Sequence, residues 1–138
     1  MLAGNAAEKV YTLNASSSKF RVVDGDSVNY GRNKFRLCGI QAPEYNHPLY
    51  ERTTKMLARL LGRGKISARV MDIDKYKRKV VIMHARGNAV SANEKMVELG
   101  SAKHYKRFSQ NCAPHLTPAK LAAAEKRAKK ARRGIWAK

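Results

Sequence analysis

The stretch Phe20-Arg-Val-Val-Asp-Gly-Asp-Ser-Val-Asn-Tyr-Gly-Arg-Asn-Lys-Phe-Arg-Leu-Cys-Gly-Ile40 decides the fold class. Its β-formers Phe20, Val22, Val23 and Val28 are interrupted by turn signals at Asp24-Gly25 and at residues 31–33. Residues 34–40 then alternate, with Phe35, Leu37 and Gly39 on one face and Arg36 and Cys38 on the other, the period of a half-buried strand. Working outward, Val10 extends the strand-like pattern upstream, before a turn at residues 14–18. Downstream, further strands are expected at residues 65–73 and 79–85, and Arg86-Gly87-Asn88 reads as a turn before another short extended piece. Three helices interleave with these strands. One starts near Pro48, carries Leu49, Met56, Leu57, Leu60 and Leu61 on one side, and ends at Gly62. The second opens with a capping box between Ser91 and Glu94 and stops at Gly100. The third has Thr117 as cap, Pro118 in its first turn, Gly134 after its end, and an apolar stripe of Leu121, Ala124, Ala128, Ala131 and Ile135. Strands with helices interspersed give an α+β domain built on a small, barrel-like antiparallel sheet.

Composition narrows the function. The chain has 138 residues, enough for one domain, and 43% of them are apolar. No segment approaches the run of about 18 apolar residues that spans a membrane, and apolar residues recur too regularly for a disordered chain. Against 10 acidic residues stand 29 Lys and Arg, a formal net charge of +19. Self-repulsion on this scale is tolerated where the partner is a polyanion; nucleic acid ranks first and an anionic membrane surface second. Cys38 and Cys112 lie far apart and match no metal-ligand spacing. Two buried thiols of a reducing compartment are expected of them, with one disulfide as the open alternative. Residues 1–18 lack the basic start and apolar run of a secretion signal. A cytoplasmic setting is therefore favoured, with a mature secreted form as the alternative.

In so basic a chain the acidic residues are informative. Asp24 and Asp26 flank a glycine at i and i+2, so on a strand both can point to one side. Such a pair repels phosphate unless a cation lies between, and a divalent metal would resolve that conflict; an ordinary Asp-Gly-Asp turn capping its own amides is the simpler alternative. Arg36 lies on the following strand, and Pro43 stiffens the corner from which Glu44 emerges. Arg78 sits in the loop 74–78 between two strands. A metal-binding carboxylate, a Glu that can activate water and two Arg are the parts that phosphodiester cleavage requires.

Five pieces in order, Val22-Val-Asp-Gly-Asp-Ser-Val28, Phe35-Arg-Leu-Cys-Gly-Ile-Gln-Ala-Pro-Glu44, Asp74-Lys-Tyr-Lys-Arg78, Asn93-Glu-Lys-Met-Val-Glu-Leu-Gly-Ser-Ala102 and Ala131-Arg-Arg-Gly-Ile-Trp136, resemble the staphylococcal nuclease (thermonuclease) family. The resemblance implies a five-stranded OB-type β-barrel with three α-helices over residues 19–138, preceded by a partly extended amino-terminal segment, 1–18. It implies a Ca²⁺ held by Asp26 and by the positions of Gln41 and the Ala42 carbonyl, with Asp24 as a supporting carboxylate. Glu44 would activate or position the attacking water, and Arg36 and Arg78 would grip the scissile phosphate. Lys75 and Tyr76 fall where the family contacts a nucleotide phosphate, and Lys77 adds one more phosphate-facing charge; Tyr105 and Phe108 fall near its base-stacking aromatics, while Lys106 and Arg107 interleave bases with them as single-strand binders do. The family cuts DNA and RNA at the P–O5′ bond, leaving 3′-phosphate ends. Two departures matter. Gln41 stands where the family usually has a second metal carboxylate, which weakens the metal by about 10- to 100-fold if it acts like the loss of a supporting partner. Lys77 stands where the family often has Gly before the loop Arg, so a positive φ there would strain the chain by about 1 kcal/mol.

The last helix carries Lys120, Lys126, Arg127, Lys129, Lys130, Arg132 and Arg133 against the single Glu125. Part of it is a solvated face; as a phosphate platform, about six contacts would give a log–log salt slope of about −5 on duplex DNA. His47, His84, His104 and His115 have no ligand spacing and are expected on the surface or in loops, and Trp136 in the core. The leading expectation is a monomeric, Ca²⁺-dependent, sequence-nonspecific endonuclease on DNA and RNA, with no membrane association. The alternative is a nucleic-acid-binding module weakened or silenced by Gln41, and a protein-interaction domain comes third.

Overall fold

The computed structural model describes residues 9–137. Of the segment 1–18, residues 1–8 lie outside the described residues. The strands are β1 (Val10–Asn14), β2 (Phe20–Asp24), β3 (Ser27–Tyr30), β4 (Asn33–Leu37), β5 (Ile40–Gln41), β6 (Lys65–Ile73), β7 (Lys79–Ala85) and β8 (Lys103–His104). The helices are α1 (Tyr50–Leu61), α2 (Ala92–Glu98) and α3 (Pro118–Lys130).

The fold is α+β, a curled mixed sheet with three helices in the OB-like manner. The sheet has six strands in the order β1-β6-β7-β4-β3-β2, and β5 pairs with β8 in a separate two-stranded ribbon. The sixth strand is β1, which pairs antiparallel with β6 from Val10 opposite Arg69 to Asn14 opposite Lys65 and buries Leu13. One junction departs from the antiparallel expectation: β4 and β7 run parallel, Arg36 opposite Val80. A parallel pair needs a long crossover, here the chain through α1 and β6. The core between sheet and helices holds Leu13, Val28, Phe35, Leu37, Ile82 and Met83, with Leu57, Met96 and Leu121 from the three helices. α1 packs on β2 and α2, and α3 packs on α2.

Local signals account for most boundaries. Ser91 Oγ accepts the Glu94 amide at 3.0 Å, the Ser91 half of the expected capping box, and Thr117 caps α3 through the Lys120 amide. Elsewhere the tertiary fold overrides them. No strand follows Arg86-Gly87-Asn88; the chain passes through a bend directly into α2. α3 ends at Lys130, closed by Arg132 at φ 54°, and Gly134 opens a separate 3₁₀ turn instead of terminating the helix. Trp136 is half-buried rather than core, its ring covered by the ammonium groups of Lys129 at 4.7 Å and Lys103 at 5.6 Å. His47 and His115 are exposed as expected, but His84 and His104 are half-buried on β7 and β8. Burial lowers the pKa of both.

The cysteines are corrected as well. Cys38 and Cys112 are joined by a disulfide with Cα atoms 5.9 Å apart, not left as thiols, so the argument from free thiols to a reducing compartment falls. The pairing depends on the 3₁₀ turn Ser109–Cys112 folding back onto the β4–β5 corner, a contact between positions 74 residues apart. Beside it the buried Asn93 accepts the Met83 amide and donates to the Cys38 and Val81 carbonyls, all at 3.0 Å, tying α2 to β7 and to the same corner.

Candidate functional site

At the end of β2 the pairing with β3 slips between Val22 and Asp24, a bulge that re-aims the carboxylates. Asp24 Oδ1 accepts the Asp26 amide at 3.1 Å, the self-capping turn that Asp-Gly-Asp favours. Asp26 turns inward and is buried. Its Oδ2 accepts the Ala42 amide at 2.8 Å and lies 3.2 Å from Arg36 Nη1, while Ser27 Oγ donates to Oδ1 at 3.1 Å. The turn therefore joins β3, β4 and the corner after β5. Gly25 belongs to it because a Cβ there would strike the Ala42 Cβ and the Thr53 side chain on α1.

Arg78 lies at the mouth of β7. Asp74, to which no role was given from sequence, builds its loop: Oδ1 accepts the Tyr76 and Arg78 amides, both at 2.9 Å, and Oδ2 accepts Arg78 Nε at 2.8 Å. Burial alone would raise the Asp74 pKa, but the Arg78 bonds outweigh it and hold the carboxyl below its ordinary range. The Asp-x-x-x-Arg spacing was the available signal for this pair. Lys77 adopts φ 64°, so the strain foreseen for a non-glycine residue is present, at about 1 kcal/mol. Tyr76 projects outward, 67% exposed, between Lys75 and the Arg78 guanidinium at 5.3 and 5.4 Å. The β4–β7 register sets Phe35 opposite Lys79 and Arg36 opposite Val80, so the Arg78 loop enters the sheet next to β4.

The other expected residues are more dispersed. Gln41 is exposed on β5 opposite Lys103, and Glu44 is exposed in the following turn, its carbonyl accepting the His47 amide at 2.8 Å. Tyr105 is anchored by its amide to the Gly39 carbonyl at 2.8 Å and meets Phe108 edge-to-face at 5.0 Å. Lys106 and Arg107 are exposed, with Arg107 5.3 Å from the Phe108 ring. Glu125, expected as a lone acid on a basic helix, is buried and accepts the His104 amide at 2.8 Å. Asp26 thus holds both Arg36 and Ala42, Arg78 and Tyr76 form a second group on the loop before β7, and no side-chain bond joins Glu44 to either group among the described residues.

The donor chemistry can be tested against a hard cation, which takes about six to eight oxygens. Burial pushes the Asp26 pKa up to about 6; Arg36 pulls it back and Asp24 adds to the rise. A buried carboxylate left under-compensated by its own guanidinium has the electrostatics that a bound cation relieves. No three His, Cys, Asp or Glu side chains converge among the described residues. The described residues therefore offer a cation one buried carboxylate, Asp26, and no cluster of acids around it.

The raised pKa makes a stability prediction. The native state binds the Asp26 proton more tightly than the unfolded chain, so this group's penalty is absent below about pH 4, grows as pH rises, and is complete above about pH 6. Asp26→Asn is expected to be more stable than the parent at pH 8 and indistinguishable from it at pH 4. Urea midpoints of both proteins at the two pH values test this; a variant weaker than the parent at pH 8 would contradict it.

The family described as "Staphylococcal nuclease homologue" matches residues 34–138, which include Arg36, Glu44 and Arg78. "Probable staphylococcal-like nuclease CAN1" of Oryza sativa subsp. japonica is 31% identical over 82% of this chain and 31% of its own length. "Probable staphylococcal-like nuclease CAN3" of the same plant is 28% identical over 91% of this chain and 31% of its own. "Micrococcal nuclease" of Shigella flexneri is 27% identical, covering 84% of this chain and 70% of its own. The chain spans under a third of the length of these rice relatives.

Proposed function

The chain belongs to the staphylococcal nuclease homologue family, and from that premise we propose that it is a Ca²⁺-dependent, sequence-nonspecific endonuclease hydrolysing DNA and RNA to 3′-phosphate ends. The observation that carries the proposal is the Arg36–Asp26 pair at 3.2 Å, on the strand that β7 and the Arg78 loop adjoin. Two guanidiniums are suited to a single phosphate, since each can donate paired hydrogen bonds to its oxygens. Ca²⁺, held by Asp26 and by the Gln41 and Ala42 carbonyl oxygens with Asp24 in support, would polarise a phosphoryl oxygen. Glu44, which is solvent-facing two residues after Ala42, would take a proton from water as its oxygen attacks phosphorus. The P–O5′ bond breaks, the 5′ oxygen takes a proton from solvent as it leaves, and the phosphate stays on the 3′ side. Arg36 and Arg78 stabilise the charge that accumulates on the phosphoryl oxygens. Lys75, Tyr76 and Lys77 receive the neighbouring phosphates, and Tyr105, Lys106, Arg107 and Phe108 receive a flanking nucleotide. The net charge of +19 draws either nucleic acid to the surface.

A second reading is favoured by one residue. Gln41 is exposed and uncharged where a carboxylate would hold metal, which favours a nucleic-acid-binding module with little cleavage. One experiment separates the two: cleavage of an end-labelled single strand with Ca²⁺ or with chelator, alongside binding to the uncut strand. The nuclease is expected to cut only with Ca²⁺, to lose about a hundredfold in rate in Glu44→Gln, and to gain rate and metal affinity in Gln41→Asp. Binding without any Ca²⁺-dependent cutting by the parent protein would leave the binding module standing instead.

A further inference from the structure

A cavity of about 930 Å³ lies away from Asp26, Arg36 and Arg78, along α1. Arg52, Lys55 and Arg59 line it from one helical stripe, three and four residues apart. All three are exposed; Glu51 also lines the cavity, but neither it nor any other carboxylate lies within ion-pair distance of them among the described residues. Arg59 also lines a second hollow of about 570 Å³ toward Phe20 and Arg63, so the concave surface continues to the far end of the helix. At the near end stands Tyr45, 84% exposed and edge-on to Tyr50 at 6.0 Å. Tyr45 follows Glu44 directly in the chain, and Tyr50 donates its hydroxyl to the Val23 carbonyl beside Asp24 at 3.3 Å. The groove therefore opens where the candidate site ends.

We propose that this groove is a second nucleic-acid-binding track, which holds the single strand running away from the scissile phosphate. Tyr45 stacks a base at its entrance, and Arg52, Lys55 and Arg59 bind successive phosphates. The class of ligand follows from the chemistry: unpaired cations in a row demand a polyanion, and an exposed aromatic ring beside them suits the face of an unpaired base. The dimensions agree. The 12 residues of α1 span about 18 Å, long enough for several nucleotides of an unpaired strand. A duplex would offer no free base to Tyr45. The proposal rests on the nuclease reading for its direction, but binding alone tests it.

The probes are oligodeoxythymidylates of about three and about twelve nucleotides, titrated by fluorescence anisotropy in chelator so that nothing is cut. The variant Arg52→Ala/Lys55→Ala/Arg59→Ala is expected to bind the long probe about tenfold or more weakly, with a log–log salt slope shallower by about 2. Its affinity for the short probe is expected to stay at the parent's value. Tyr45→Ala is expected to weaken the long probe by about tenfold while leaving the salt slope alone. Lys9→Ala/Arg32→Ala/Arg86→Ala removes the same charge from surfaces outside both hollows, and thermal melts confirm that each variant is folded. Equal losses in the two triple variants would mean bulk attraction only and would overturn the track; so would an unchanged long-probe affinity, or a parent that binds neither probe. If cleavage is absent while the groove variant still loses the long probe selectively, the nuclease reading fails and the track stands.

Discussion

Gly134→Ala is expected to destabilise the protein by about 4 kcal/mol or more, the range in which few folded molecules remain. The reason is a backbone crossing. The turn after α2 and the turn after α3 meet at Gly100 and Gly134, with φ of 73° and 53°. The Ile135 amide donates to the Gly100 carbonyl at 2.8 Å, which holds the carboxyl-terminal turn onto the body of the fold. A Cβ on Gly134 would lie on the Gly100 carbonyl, and one on Gly100 would lie on the Arg133 carbonyl. Neither obstacle is the movable end of a side chain. Relief requires the two turns to separate, which breaks the Ile135 bond and lifts Trp136 from between Lys103 and Lys129. Gly62→Ala provides the contrast. Gly62 also has positive φ, 71°, but nothing lies within 4 Å of its added Cβ, so only the left-handed strain of about 1 kcal/mol is expected. Urea unfolding of both variants decides the matter, and similar midpoints would refute the crossing as the cause.

The disulfide is the other large term. Cys38→Ala/Cys112→Ala is expected to lose about 4 kcal/mol, because the bond closes a chain segment of 74 residues and removes that freedom from the unfolded state. The native surroundings favour no substitute contact: Gly39, at φ 78°, sits against Cys112 Sγ and the Leu121 side chain, so there is no slack for the corner to collapse into. The bond also fixes its neighbour Gly39, whose carbonyl accepts the Tyr105 amide at 2.8 Å and so holds the chain that follows β8. Parent protein unfolded in urea with reductant should reproduce the loss seen in the double variant. A difference below about 1 kcal/mol between oxidised and reduced protein would remove the disulfide from any account of stability.

Much of the fold was legible because its signals are local. The alternation of Phe35 and Leu37 with Arg36 found β4, Ser91 and Thr117 marked two helix starts, and the self-capping Asp-Gly-Asp turn was present as the simpler alternative to a metal-binding pair. The site was legible as residue types but not as contacts. Ala42 was expected through its carbonyl, yet its amide is what Asp26 holds. Asp74 went without a role although it carries the whole Arg78 loop. Glu125 counted as a surface charge until the His104 amide claimed it.

By itself the sequence determined the secondary-structure periods, the cationic surface and the resemblance to a nuclease family, because each depends on residues near one another in the chain or on composition alone. The tertiary structure alone decided that β4 runs parallel to β7, that Cys38 bonds Cys112, and that Gly100 meets Gly134. It likewise raised three solvent-facing cations of α1 into one wall of a groove. These are meetings of distant segments, and their energies come from packing, closure of long loops and burial of charge, none of which leaves a periodic trace along the chain.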